Sequence, residues 1–216
     1  MTAEPIPATE TRGPTGLIGA ELDSAAAMWQ PDPARQRRAD HTLEDLLTLP
    51  HDAPRVELVD GVLHVAPSPT ENHQDIVSLL WSWLRAHTPA DYKVTAGMSV
   101  ALTERDVRIP DVIVRRAGGS GARHFVTADQ VVIAVEVVSP GTRRTDRFAK
   151  PGEYAAAGIR HYWRIEQDPV HVYAYRLSDR PGRSGYREYE LVADSADSLK
   201  LTEPFEISIP ISQITP

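Results

Sequence analysis

From about residue 42 onward, two hydrophobic rhythms alternate along the chain. Apolar residues at Ile76, Val77, Leu80, Trp83 and Leu84 recur at the spacing of one helical face, so residues 70–87 are predicted to form a helix packed on a sheet. Residues 56–59 and 62–66 flank Asp60 and Gly61, a dipeptide that tolerates positive φ, and predict a tight β-hairpin. Strand-like runs follow at residues 92–96, 99–102, 111–115 and 131–138, with a glycine-rich loop at 118–121. The run at 131–138 is apolar on both faces apart from Glu136, the composition of a central strand covered on both sides. Thr42 ahead of Leu43, Leu46 and Leu47 reads as the N-cap of a short helix that stops at Pro50. Residues 154–157, closed by Gly158, suggest another helix. Strands at 162–165 and 170–177 surround a turn at Asp168 and Pro169, and residues 186–192 and 199–209 supply further edge strands. The order of helix, hairpin, helix, strands, helix and strands predicts an α/β or α+β domain with one mixed sheet. Residues 1–40 hold five prolines and little periodicity beyond a short helix-like stretch at 20–29. They read as a mostly flexible extension to a single domain over 41–216.

Composition narrows the chemistry. The chain has 216 residues, 41% apolar and 25% charged, enough for one domain with a real core. Its lack of cysteine removes disulfides, thiolate zinc sites, iron–sulfur clusters and cysteine nucleophiles, and suits a reducing cytosol. The longest wholly apolar runs, such as 131–135, are five residues, far below the roughly 20 that cross a bilayer. The N-terminus lacks the basic-then-apolar order of a secretory signal, so a cytoplasmic protein with no membrane partner is expected. The net charge of −7 argues mildly against a general grip on nucleic acid. Residues 105–150, however, carry nine basic and five acidic side chains, a local excess of positive charge.

No two histidines are closer than nine residues, and no Walker loop, dinucleotide glycine fingerprint or Gly-x-Ser-x-Gly elbow is present. Carboxylates remain. Glu136 is the sharpest anomaly, because a carboxylate within an apolar central strand costs several kcal/mol unless it is paired, emerges at the sheet's end, or holds a cation. Asp111 follows Pro110 and opens the strand at 112–114, where it is either a turn cap or a second ligand. Two neighbouring strands can present such acids at one sheet edge, giving a hard cation the oxygen ligands it prefers. Glu57, just before the Asp60-Gly61 turn, is either an exposed strand position or a third acid. Lys150 is either an ordinary surface lysine or a cation of the site. His73 shares a helical face with Ile76 and Leu80, as a hydrogen-bonded core histidine or a supporting site group.

An ordered set of motifs then carries a family resemblance. Glu57-Leu58-Val59-Asp60-Gly61, Pro67-Ser68-Pro69 with His73-Gln74, Pro110-Asp111-Val112, and Val135-Glu136-Val137-Val138-Ser139-Pro140 are followed by Arg144 to Asp146 with Lys150 and Tyr154, then Ala157-Gly158 with Tyr162-Trp163. Over about residues 42–172 the chain resembles the Uma-type restriction endonuclease family of the PD-(D/E)XK nuclease superfamily. The resemblance implies a restriction-endonuclease-like core, a mixed β-sheet flanked by helices. It also implies a Mg²⁺-dependent endonuclease acting on DNA, with Mn²⁺ as a substitute. Asp111 and Glu136 match the metal ligands, with the Val137 carbonyl as an extra ligand and Glu57 as the auxiliary acid. The superfamily's usual lysine position, two residues after the strand acid, is Val138 here, and the function maps instead onto Lys150. Arg143, Arg144 and Arg147 would contact phosphates and make binding salt-dependent, while His73 and Tyr154 would support the site.

Pro151 is the main departure. Proline disfavours α geometry in the residue before it, so the helix is predicted to begin at about Pro151 or to kink there, leaving the Lys150 ammonium short of the site. Val138 and Pro151 together keep open a catalytically impaired module that binds nucleic acid or a protein partner. A third reading is an interaction protein that uses hairpin edges, its buried acids merely paired. Cutting two strands wants two sites, so a homodimer is compatible with the leading reading. Arg164, in a strand where an apolar residue would be comfortable, has no explanation from sequence.

Overall fold

A computed structural model describes residues 38–118, 124–182 and 185–216. The helix-like stretch at 20–29, nearly all of the proposed extension and residues 119–121 of the glycine-rich loop lie outside the described residues.

Thr42 caps the first helix, α1 (Leu43–Leu47), through a reciprocal capping box with Asp45. The hairpin strands β1 (Val56–Val59) and β2 (Val62–Val65) pair in the register Val59↔Val62, with Asp60 and Gly61 at φ values of +50° and +77°. Both central residues are left-handed, as a primed two-residue turn requires. Gly61 is irreplaceable for a second reason, since a Cβ there would meet the Ala39 carbonyl oxygen at 2.6 Å. The long helix α2 (Glu71–His87) begins at Thr70, whose hydroxyl accepts the His73 backbone N–H. It buries His73, Ile76, Val77, Leu80, Trp83 and Leu84 along one stripe.

Among the described residues the predicted single sheet is instead three. The largest has six strands, built from β3 (Tyr92–Ala96), β6 (Val112–Arg116), β8 (Val131–Val137), β9 (His161–Gln167), β10 (Val170–Pro181) and β11 (Arg187–Ser195) in the order β11-β10-β9-β8-β6-β3. The β8 and β9 pair is parallel and the rest antiparallel, so this sheet is mixed. A second sheet has the order β2-β1-β5-β4-β7, drawing in β4 (Ser99–Ala101), β5 (Val107–Arg108) and β7 (Phe125–Thr127). Strands of two and three residues are too short to show a period, which is why β5 and β7 escape a reading of pattern. Gly97, at φ +61°, takes the chain out of β3 and into the second sheet. The expected final edge strand is a separate hairpin of β12 (Ser198–Leu201) and β13 (Ile207–Pro210).

Alternation along β8 divides the core. Ile133, Val135 and Val137 join α2, Trp163, Ile165 and the C-terminal hairpin in one apolar cluster. Ala134 points the other way, into a cluster with Ile113, Tyr154, Ile159 and Tyr162. All seven residues of β8 are buried, as its two-faced apolar composition demands. Among the described residues no helix is long and apolar enough to cross a membrane.

Candidate active site

Glu136 lies on the face of β8 that Ala134 shares, toward the helical segment after the strand, and is 2% exposed. Its partners are internal. Tyr154 donates its hydroxyl proton to Oε1 at 2.5 Å, and the Lys150 ammonium donates to Oε2 at 2.8 Å. The antiparallel register Val112↔Val135 continues to bring Asp111 beside Glu136 at the end of the sheet. Asp111 Oδ2 accepts the Val137 backbone N–H at 2.8 Å and sits 3.1 Å from His73 Nε2. His73 is therefore a buried helix residue that also borders Asp111.

Lys150 lies where the proline argument predicted it would not. Its backbone is α-helical, at φ −57° and ψ −41°, and it opens α3 (Lys150–Ala156) directly after a π-helical turn, Thr145–Ala149. The proline is accommodated by what precedes it. In a π turn the carbonyl of Asp146 would accept the N–H of residue 151, which proline lacks. The Tyr162 hydroxyl takes that place, donating to the Asp146 carbonyl at 2.6 Å. With the turn so held, the Lys150 ammonium points into the cluster, 3.1 Å from Asp146 Oδ1 and 4.0 Å from Glu57 Oε1.

Glu57 is half-buried rather than an exposed strand residue. It accepts from Arg108 at 2.9 Å and from the Ile109 backbone N–H at 3.0 Å, while Arg108 grips Glu153 with two further bonds of 2.6 and 2.7 Å. Asp146, Arg108 and Glu153 belong to the cluster although none of them was a site candidate from sequence. The signal for Asp146 was its spacing of four residues from Lys150 on one helical stretch. Arg108 and Glu153 join across 45 residues, which no local pattern reveals.

These groups line a cleft of about 440 Å³ bounded by β1, the loop at Pro67 to Pro69, the ends of β6 and β8, and the π turn. Glu57, His73, Asp111, Glu136, Val137 and Lys150 reach its wall, and Tyr154 lies beneath it, fully buried. The arginines are not brought to it. Arg143 and Arg144 are exposed, and Arg147 turns away into a bidentate pair with Glu166 at 3.0 and 2.7 Å. Arg164 now has an account: its guanidinium lies over the Tyr173 ring, 4.4 Å from the centroid, with Glu166 at 3.3 Å.

Five carboxyl groups line the cleft against three fixed cations, Arg55, Arg108 and Lys150. Burial pushes the Glu136 carboxyl up to about 8 against the pull of Lys150, and Asp111 and Asp146 add their repulsion. Burial likewise raises Asp146. It acts to lower Lys150, but Glu136, Glu57 and Asp146 outweigh it and hold the ammonium above the ordinary lysine range. The cluster is short of positive charge. Among the described residues no three His, Asp or Glu side chains stand preassembled as a metal site. The donors present are nonetheless hard oxygens, and the carboxyl groups lining the cleft outnumber its fixed cations, so their chemistry fits a hard divalent cation.

A solved structure titled as a putative nuclease belonging to DUF820, from Anabaena variabilis, superposes with a TM-score of 0.62 at 21% identity, covering 80% of this chain and 96% of that one. It shares the fold, a restriction-endonuclease-like α+β architecture. No curated protein matches the chain. The family described as "Uma2: Putative restriction endonuclease" matches residues 43–212, which span both large sheets and every residue of the acid cluster, and the chain belongs to that family.

Proposed function

We propose that this chain is a divalent-metal-dependent endonuclease that hydrolyses phosphodiester bonds in DNA, with Mg²⁺ the first choice of metal and Mn²⁺ a substitute. One observation carries the reading: carboxyl groups from β1, β8 and the π turn converge on a single ammonium, with Asp111 at the start of β6 lining the same open cleft, where five carboxyl groups face three fixed cations. Asp111 and Glu136, with the Val137 carbonyl, would hold the metal. When bound it would polarise a phosphoryl oxygen and lower the pKa of a water. Lys150 supplies an ammonium that can exchange one of its acid contacts for the attacking water or a phosphoryl oxygen. Tyr154 keeps Glu136 oriented by its hydroxyl. His73 does the same for Asp111, and Glu57 anchors Arg108 at the wall of the cleft. The exposed Arg143 and Arg144 are free of the acid cluster and suit backbone phosphates. In this reading residues 41–216 are the catalytic domain and DNA in the cytoplasm is the partner. Cutting both strands calls for two copies of the chain.

The test is cleavage of plasmid by the purified protein in Mg²⁺ and in Mn²⁺, beside Glu136→Gln and Asp111→Asn. Cleavage by the parent that both variants lose is expected, and equal cleavage by all three removes the site. A second reading, a restriction-like binding module, is favoured by a specific feature: both oxygens of Glu136 already have protein partners, and Val138, in the usual lysine position, is buried. Salt-sensitive DNA retention without turnover in either metal would select it.

A further inference from the structure

The helical stretch that carries Lys150 has a second hollow on its other side. Asp146, Ala149, Lys150 and Glu153 face the acid cleft, while Arg147, Pro151, Gly152 and Ala155 face a separate cavity of about 250 Å³. None of the site residues inferred from sequence, apart from Arg147, lies in it. Its far wall is aromatic. Tyr162 stacks on Tyr175 at 5.9 Å between centroids and 26° between planes, and lies 5.7 Å from Tyr189. Two of these hydroxyls are already spent on backbone carbonyls, Tyr162 on Asp146 and Tyr189 on Ile159, so the half-buried Tyr175 and Tyr189 offer mainly ring surface, with the buried Tyr162 packed against both. Arg164 closes one side, held against the rings of Tyr173 and Tyr175, with its Nε 3.3 Å from Glu166 Oε1.

Ring faces beside guanidinium donors are the chemistry that recognises an unstacked nucleobase together with its phosphate. The volume admits one nucleotide and excludes a duplex, whose base pairs stay stacked. We propose that this cavity binds a single extruded or unpaired nucleotide of the strand whose phosphodiester lies in the acid cleft. The partition between the two hollows is one helix, about 10 Å across with its side chains, a span that a short length of strand covers. Phe148, between Arg147 and Ala149, is 75% exposed on that partition, an apolar ring at the surface of the stretch the strand would cross. This proposal rests on the nuclease reading for its ligand but on different residues for its chemistry.

The experiment uses the full chain without metal, so that no turnover occurs, titrated with dAMP, with TMP, and with inorganic phosphate, and followed by NMR of the tyrosine rings. The expected result is binding of the mononucleotides with shifts of the Tyr162 and Tyr175 resonances, and no such shifts with phosphate. Affinity should fall at least about tenfold in Tyr175→Ala and in Arg164→Gln, the order expected for losing a stacking or guanidinium contact. Arg147→Ala, at an exposed side chain, gives a third variant whose folding is not in question and should also weaken binding. Equal affinity of the parent and all three variants, or equal shifts with phosphate alone, overturns the proposal. Plasmid cleavage is read separately: cleavage without mononucleotide binding would remove this pocket and keep the nuclease, and binding without cleavage would do the reverse.

Discussion

At the scale of single residues, the acid cluster is asymmetric, and that asymmetry is measurable. Lys150 has three acidic neighbours, at 2.8, 3.1 and 4.0 Å, whereas Glu136 depends on Lys150 and Tyr154 alone. Lys150→Met should therefore strand buried carboxylates and lower the unfolding free energy by about 3–5 kcal/mol in urea titrations. Glu136→Gln leaves the ammonium paired with Asp146 and Glu57, and its stability should stay within about 1 kcal/mol of the parent. Glu136 was legible in the sequence because one charged residue interrupted an apolar run, and its need for a partner followed from solvation alone. Lys150 was harder, since the rule about residues before proline is statistical and a tyrosine eleven residues beyond Pro151 overrides it. Arg108 was invisible: its two acids come from β1 and α3, and only the tertiary fold assembles them.

At the scale of elements, the π turn is held by a hydroxyl standing in for a missing N–H. Tyr162→Phe should cost about 1–3 kcal/mol, because it leaves the Asp146 carbonyl buried without a donor. Pro151→Ala restores an N–H at the position that can reach that carbonyl. A double-mutant cycle between the two sites should therefore show a coupling above about 0.5 kcal/mol, with the phenylalanine change milder in the alanine background. The hairpin turn gives a simpler case. Gly61→Ala should destabilise the protein by more than about 1 kcal/mol in thermal or urea unfolding, since a Cβ is disfavoured by the left-handed backbone and meets the Ala39 carbonyl. Elements with a strong internal period, α2 and β8 above all, were readable to within a residue or so. The five-stranded sheet was not, because β5 and β7 are two and three residues long and the pairing of all its short strands depends on partners elsewhere in the chain.

At the scale of the whole molecule, burial of ionisable groups makes stability depend on pH. His161, at the start of β9 and 6% exposed, is pushed down to about 4 by burial; Glu203 opposes this, while Arg160 and Arg176 reinforce it. Its folded value lies below its unfolded one, so the stability linked to it is present above pH ~6.5 and is lost as pH falls toward 4. By pH 5 the loss should be on the order of 2 kcal/mol, and His161→Gln should flatten that part of the urea-midpoint profile. The C-terminal hairpin has a consequence of another kind. Ile207, Ile209, Ile211 and Ile214 are at most 3% exposed and close the same core as Leu80 and Trp163. At about 1.5–3 kcal/mol each, their contribution rivals the entire margin by which a domain of this size stays native. A chain growing from its N-terminus has already made all six strands of the large sheet before these isoleucines emerge, so the nascent protein must leave one apolar face wet until they follow.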